Sequence, residues 1–103
     1  MEQQQTSTRE RIRTDLRKPR KFHVIIHNDD FTTMDFVVMI LTTVFHKTAD
    51  EAEALMYHVH NNGSAIAGTY SYDIAYTKME KATSMARAEN FPLRFSLKPA
   101  SED

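Results

Sequence analysis

The sequence predicts an α+β domain with the element order β-α-α-β-α-β, in which a three-stranded antiparallel sheet carries its helices on one side. Three observations support this fold class. Residues 21–27 form a β-branched run without helix formers, residues 93–97 alternate apolar and polar side chains, and between these two segments apolar residues recur three times at helical spacing. A chain of 103 residues has room for one such domain.

The first strand covers residues 21–27, whose sequence KFHVIIH is typical of a strand that is buried on at least one face. It stops at Asn28, Asp29 and Asp30, because these residue types favour turns over strands.

The first helix is predicted to begin at Thr32, which together with Asp35 resembles a capping box, and to run to about residue 46. Its apolar residues repeat at the spacing of one helix face. They are Phe36, Val37, Ile40, Leu41 and Val44.

The second helix is predicted to begin at a clearer capping box formed by Thr48 and Glu51. It is expected to end at Asn62 and Gly63, a pair that stops helices. The apolar face between these ends contains Ala52, Leu55, Met56 and Val59.

The second strand is predicted over residues 65–70, with Gly68 inside it. The third helix then begins near Ser71 and Asp73 and ends near residue 90, because Pro92 prevents its continuation. The last strand covers residues 93–97, where Leu93, Phe95 and Leu97 alternate with polar residues, and Pro99 closes it.

The two ends of the chain lie outside this pattern. Residues 1–20 contain six basic and three acidic residues but few apolar ones, so they cannot bury enough surface to offset the entropy of ordering. We therefore expect residues 1–20 to be a disordered N-terminal extension, residues 21–99 to be the folded domain, and residues 100–103 to be a short C-terminal tail.

Composition excludes several classes of function. The chain has no Cys, which removes disulfides, thiolate catalysis and Cys-ligated metals, and its two Gly do not make a phosphate-binding loop. The net charge of −1 and the seven basic against eleven acidic residues from position 21 onward do not favour nucleic acid. No apolar run is long enough to span a membrane. The sequence therefore predicts neither a cofactor nor a nucleic-acid or membrane partner.

Catalytic and metal sites find little support in the pattern. His58 and His60 are two positions apart on a helix and point away from each other, and the consecutive Asp29 and Asp30 cannot readily share a proton. No nucleophile elbow of the G-x-S-x-G type occurs. We therefore predict no catalytic residue and no bound metal, although a small metal-dependent hydrolase using His60 with the two aspartates remains an alternative.

The turn at residues 28–30 is the most informative local feature, because apolar residues and a histidine are expected beside it. Met34 and Val37 follow the turn, while the second helix places an imidazole next to two apolar side chains, those of Met56 and Val59. Carboxylate, amide oxygen and neutral imidazole nitrogen are all hydrogen-bond acceptors, so together they suit an ammonium group. An ammonium site beside an apolar recess matches the start of a polypeptide, namely a free α-amine followed by a large hydrophobic side chain.

These residues also resemble a known family. The stretches HNDDFTTMDFVVMIL, VFHKTADEAEALMYHVHNNGSAIAGTYSYDIAYTK and FPLRFSL resemble the ClpS family, the N-degron adaptors of bacterial AAA+ Clp proteases. The similarity covers about residues 22–98, and the combination of NDD with M-x-x-V-H and A-x-T-K is specific. Three positions differ from the usual pattern of the family: His27 replaces an aliphatic residue, Thr33 replaces Pro, and Tyr76 replaces Glu.

The resemblance implies a monomeric, cytoplasmic adaptor without enzymatic activity. It would bind proteins that begin with Leu, Phe, Tyr or Trp and deliver them to the N-terminal domain of a Clp unfoldase of the ClpA or ClpC type, and the N-terminal extension would serve delivery. By position, the α-amine would be held by Asn28, Asp29, Asp30 and His60. The side-chain pocket would contain Thr32, Met34, Val37, Met56, Val59 and Leu93, with Met34 as a gate against β-branched residues. Asp73 and Lys78 would face the unfoldase.

An alternative function class remains open. Because a similar element order occurs in the bacterial ribosomal stalk protein, the chain could be an interaction module without a pocket that docks on an unfoldase or a ribosomal factor. A recess at the turn is the structural feature that separates the two hypotheses.

Overall fold

A computed structural model describes residues 20–100 of the chain. Its elements are β1 (Lys21–His27), α1 (Met34–Thr43), α2 (Ala49–Asn62), β2 (Ser64–Ser71), α3 (Tyr72–Ala88) and β3 (Arg94–Pro99). The predicted α+β class and the order β-α-α-β-α-β are confirmed. Apart from residues 20 and 100, the expected extension and C-terminal tail lie outside the described residues, so both remain predictions.

The sheet has the strand order β2-β1-β3, and both pairings are antiparallel. The central strand places Val24 opposite Leu97 and Ile26 opposite Phe95, and a bulge between Val24 and Ile25 shifts its register against β2. Val24 and Ile26 are completely buried, whereas their neighbours of opposite parity in β1 are not. The helices therefore pack on one face of the sheet and leave the other face open.

The first helix is capped by Thr33 and not, as predicted, by Thr32. The Oγ1 of Thr33 accepts a hydrogen bond from the Phe36 N–H at 3.2 Å. The Thr32 hydroxyl instead donates to the Asp29 carboxylate at 2.8 Å, within the turn that precedes the helix. This helix also ends at Thr43, earlier than the expected residue 46.

The second helix has both predicted ends. Thr48 and Glu51 form a reciprocal capping box, with distances of 3.1 Å from the Glu51 N–H to the Thr48 hydroxyl and 2.9 Å from the Thr48 N–H to the Glu51 carboxylate. At the other end Gly63 adopts a left-handed conformation with φ of 95°, which glycine reaches without a steric penalty. This exit places β2 alongside β1, where the Asn28 N–H donates to the Gly63 carbonyl at 2.9 Å.

The core fills the space between the helices and one face of the sheet. Gly68 has a specific packing role in it, because the ring of Tyr70 lies where a Cβ at position 68 would stand. The largest completely buried side chains are Ile26, Ile40, Leu41, Leu93 and Val24.

Candidate functional site

The turn after β1 is organised around one carboxylate. Oδ1 of Asp29 accepts the backbone N–H groups of Phe31 and Thr32, both at 2.7 Å, and Oδ2 accepts the Thr32 hydroxyl. A carboxylate offers about four acceptor positions, so three hydrogen bonds leave about one position for a ligand. The turn therefore fixes the Asp29 side chain before any ligand is bound.

The hydrogen bonds of the turn also set the charge state of this group. Burial raises the pKa of Asp29, but the two backbone N–H groups, the Thr32 hydroxyl and the nearby Arg87 guanidinium together outweigh burial. The pKa of Asp29 is therefore lower than usual, and the group is a carboxylate at neutral pH.

A recess of about 350 Å³ lies between this turn, the start of α1 and the end of α2. Its volume falls in the range of about 300–1,000 Å³ that is typical of small-ligand sites. It brings together nine of the ten residues predicted for the amine and side-chain sites, together with Thr33, which had not been predicted. The lining residues are Asn28, Asp29, Asp30, Thr32, Thr33, Met34, Val37, Met56, Val59 and His60.

The recess has an apolar wall and a rim of hydrogen-bond acceptors. Val37, Met56 and Val59 are buried, and they come from facing sides of α1 and α2. The carboxylates, the Asn28 amide and the His60 imidazole stand around this wall, and the lining includes neither lysine nor arginine. A group that combines a positive charge with an apolar body therefore fits this chemistry.

Leu93, the tenth predicted residue, lies deeper. It borders a small inner cavity of about 20 Å³, whose walls include Val37 and Val59 of the main recess. His27 also borders the inner cavity, and its Nε2 lies at hydrogen-bond distance, 2.8 Å, from the Ser96 hydroxyl. Leu93 thus stands below the floor of the recess and not in its wall.

The segment that carries Leu93 is held by a residue that the sequence did not single out. Nη1 of Arg87 donates to the Phe91 and Leu93 carbonyls, both at 2.8 Å. The Phe91 ring packs edge-on against Phe36 of α1, with ring centroids 5.0 Å apart. A cation in the last turn of a helix often binds nearby carbonyls. The position of Arg87 in the last turn of α3 could therefore have indicated this role in the sequence.

The other histidine of α2 does not join the recess. Nδ1 of His58 lies 3.0 Å from the side-chain amide nitrogen of Asn62, on the same helix. Among residues 20–100, no group of three or more His, Asp or Glu side chains is placed to hold a metal ion.

The two residues predicted to face the unfoldase differ in their surroundings. Asp73 is exposed in the first turn of α3. Lys78 is half-buried, its Nζ donates to the Val44 carbonyl at 2.9 Å, and it lies 5.4 Å from the centroid of the Tyr70 ring. Lys78 therefore ties α3 to the end of α1, whereas Asp73 is exposed at the start of α3.

The fold and the recess together define a small α+β binding domain that presents acceptors beside an apolar cavity. No helix in the described part of the chain has the length and apolar character needed to cross a membrane. The family model described as "ATP-dependent Clp protease adaptor protein ClpS" matches residues 17–96. The chain therefore belongs to the ClpS family of Clp protease adaptor proteins.

Individual relatives agree with this assignment. The ATP-dependent Clp protease adapter protein ClpS of Desulfatibacillum aliphaticivorans is 50% identical over 82 residues, which cover 80% of this chain and 79% of that protein. The protein of the same name from Acetivibrio thermocellus is 45% identical over 96 residues, covering 93% and 97%. The structure of Agrobacterium tumefaciens ClpS2 bound to L-phenylalaninamide superposes with a TM-score of 0.77 at 35% identity and covers 80% of this chain and 99% of that one.

Proposed function

We propose that this adaptor binds proteins that begin with Leu, Phe, Tyr or Trp and delivers them to a Clp unfoldase in the cytoplasm. The observation that carries the proposal is the acceptor rim of Asn28, Asp29, Asp30 and His60 beside the apolar wall of the recess. In this arrangement the protein binds and transfers its substrate and performs no chemistry on it.

The ligand of the related ClpS2 structure has the chemistry that this recess suits. L-phenylalaninamide combines an α-amine with a benzyl side chain, as does a Phe that is the first residue of a protein. On our proposal the ammonium group donates to the rim, and the side chain enters between Val37 and Met56 toward Leu93.

The expected affinity follows from these two parts. Burial of a Leu or Phe side chain contributes about 1.5–3 kcal/mol. Each hydrogen bond from the ammonium group to a charged acceptor contributes about 1.5–3 kcal/mol. After the cost of association, a micromolar to submicromolar dissociation constant results.

Met34 is proposed as the gate of the recess. It is the first residue of α1, it lines the recess, and 44% of its side chain is exposed, so it stands at the opening. A side chain branched at Cβ would meet Met34 at this opening, whereas Leu and Phe branch one atom further from the backbone. Met34→Ala is expected to admit peptides that begin with Ile or Val.

The test of amine recognition is fluorescence anisotropy with a labelled peptide that begins with Phe and with its N-acetylated twin. We expect the free peptide to bind and the acetylated one to lose at least tenfold in affinity. His60→Ala removes one acceptor of the rim, and Asp30→Asn removes one negative charge. Each change is expected to weaken binding of the free peptide only. Equal binding of the two peptides would refute the proposal.

Delivery requires a second surface, for which we propose the start of α3 around Asp73. The matched comparison is Asp73→Ala against Asp50→Ala, an equally exposed change in the first turn of α2. Only Asp73→Ala should weaken binding to isolated unfoldase N-terminal domains of the ClpA and ClpC types, and neither should change peptide affinity. If both variants bind both domains as the unaltered protein does, the surface lies elsewhere.

A further inference from the structure

The sheet face opposite the helices forms a second surface, separate from the recess. The open sheet face, as we define it, contains Lys21, His23 and Ile25 of β1, Ile66 of β2, and Arg94 and Lys98 of β3. The register places Ile25 opposite Ile66 and His23 opposite Lys98. His27, at the end of β1, lies opposite Arg94. No helix among residues 20–100 covers this face.

The charge of this face has a single sign. None of the three strands contains Asp or Glu, whereas Lys21, Arg94 and Lys98 are all cationic. Every acidic residue of the described chain lies in a helix or in a connection between elements. Within residues 20–100, the open sheet face therefore carries positive charge and no carboxylate.

Two histidines add to this face in fixed positions. Nδ1 of His23 lies 2.8 Å from the Thr69 hydroxyl, and Nε2 of His27 lies 2.8 Å from the Ser96 hydroxyl. Burial lowers the pKa of His27, and the positive charge of Arg94 lowers it further. Arg94 therefore contributes positive charge directly beside His27.

The centre of the open sheet face is apolar and concave. A depression of about 270 Å³ is lined by His23, Ile25, Ile66 and Lys98, among others. Ile66 is 45% exposed and lies opposite Ile25, so the two side chains form one aliphatic patch. Within residues 20–100, the face thus combines a partly exposed aliphatic centre with a cationic margin.

We propose that the open sheet face docks an acidic protein segment that carries an aliphatic side chain. The aliphatic group would cover Ile25 and Ile66, while flanking carboxylates would pair with Lys98 and Arg94. A protein segment suits this surface better than a nucleic acid, because no Phe, Tyr or Trp ring of the three strands lies on it for base stacking. The aromatic side chains of the strands, Phe22, Tyr70 and Phe95, all belong to the core on the opposite face.

This surface lets one adaptor hold two partners at once. The recess lies on the helix side, between the turn after β1 and the end of α2. An acidic segment on the open sheet face would therefore not compete with a ligand in the recess. The proposal does not depend on amine recognition and can hold or fail independently of it.

The test uses the full chain and a labelled peptide with the sequence Glu-Glu-Ile-Glu-Ile-Glu-Glu, acetylated so that it has no free amine. We expect saturable binding that weakens between 50 and 300 mM salt. Lys98→Glu should weaken binding of the peptide by about tenfold, because it replaces an attractive charge with a repulsive one. Ile66→Ser should weaken it as well. The matched control, Lys81→Glu on an exposed position of α3, changes net charge equally and should stay within about twofold of the unaltered protein, since screening limits remote charges.

Amide chemical shifts locate the bound peptide. Shifts at Ile25, Ile66 and Lys98, without shifts at His60, would support the proposal. The basic residues 1–20 could also attract an acidic peptide, but Lys98→Glu would leave such binding unchanged. Binding that Lys98→Glu does not change would therefore refute the proposal. Absence of binding, shifts confined to the recess, or equal binding of a Lys-for-Glu version of the peptide would refute it too. Stronger binding of an RNA oligomer of equal charge would assign the face to nucleic acid instead.

Discussion

Replacement of Asp29 by Asn is expected to destabilise the domain by about 1–2 kcal/mol at neutral pH, because it weakens three hydrogen bonds at once. In the structure one carboxylate accepts two backbone N–H groups at 2.7 Å and the Thr32 hydroxyl at 2.8 Å. A hydrogen bond to a charged group contributes about 1.5–3 kcal/mol and one to a neutral group about 0.5–1.5 kcal/mol. The Asn oxygen still accepts the two backbone hydrogen bonds, but as a neutral acceptor. The partial exposure of the turn reduces the resulting loss of stability.

The dependence on pH separates this mechanism from general disruption of the turn. The pKa of Asp29 is lower in the folded chain than its usual value of 3.8, so the unfolded chain takes up the proton first. The contribution of the carboxylate is therefore complete above about pH 3.8 and disappears as the pH falls through the lower folded pKa. The stability difference between the unaltered protein and Asp29→Asn should shrink over the same interval.

Urea denaturation followed by circular dichroism at several pH values between 7 and 2.5 measures this difference. In thermal unfolding, 1 kcal/mol corresponds to about 4–8 °C for a domain of this size. Asp30→Asn is the matched control, since no hydrogen bond within residues 20–100 involves the Asp30 side chain. Equal stability of Asp29→Asn and the unaltered protein at pH 7, or a difference that stays constant down to pH 2.5, would refute the reasoning.

Three further predictions concern residues outside the turn. The pKa of His27 is lowered in the folded chain, so the neutral imidazole contributes its full stability above the usual pKa of 6.5. This contribution is lost as the pH falls through the folded pKa, and His27→Gln should flatten that loss in urea titrations from pH 8 to 5. Gly68→Ala should cost about 1–3 kcal/mol, because its Cβ overlaps the Tyr70 ring, and a smaller penalty in a Tyr70→Leu background would identify that ring as the cause. Arg87→Met should raise amide exchange around Leu93 and weaken Phe-peptide binding a few-fold, whereas unchanged exchange would show that the loop does not need its two bonds.

Periodicity predicted the element order because each helix and strand buries one face, but it could not choose between adjacent polar residues. Thr32 and Thr33 have the same chemistry, and only the backbone of the turn decides that the Thr33 oxygen meets the Phe36 N–H while the Thr32 hydroxyl donates to Asp29. Lys78 is a similar case. Its acceptor, the Val44 carbonyl, is 34 positions away in the sequence, so only the fold brings the two together.

Five of the nine predicted residues that line the recess lie at helical spacing in α1 and α2, and the other four lie in the turn between β1 and α1, whose Asn and Asp residues mark it in the sequence. Leu93 belongs to the connection before β3, where no period applies, and Arg87 in the last turn of α3 meets that connection only in the fold. The open sheet face could not be predicted from the sequence, because the strand register decides which residues lie next to one another. That Lys98 and Arg94 stand on the face with Ile25 becomes visible only when β1 and β3 are paired.

The turn after β1 explains how a domain of this size can hold an acceptor rim in place. Free carboxylates near one another would repel, and a mobile side chain would lose conformational freedom when a ligand bound. Asp29 avoids the second cost because three hydrogen bonds fix it within the turn, while the capping bond of Thr33 fixes the start of α1 beside it. The most exposed apolar residue of the recess, Met34, follows this fixed segment directly. On the proposed function, the recess would join an oriented acceptor to the adaptable side chain of Met34, which would suit a ligand whose amine is constant and whose side chain varies.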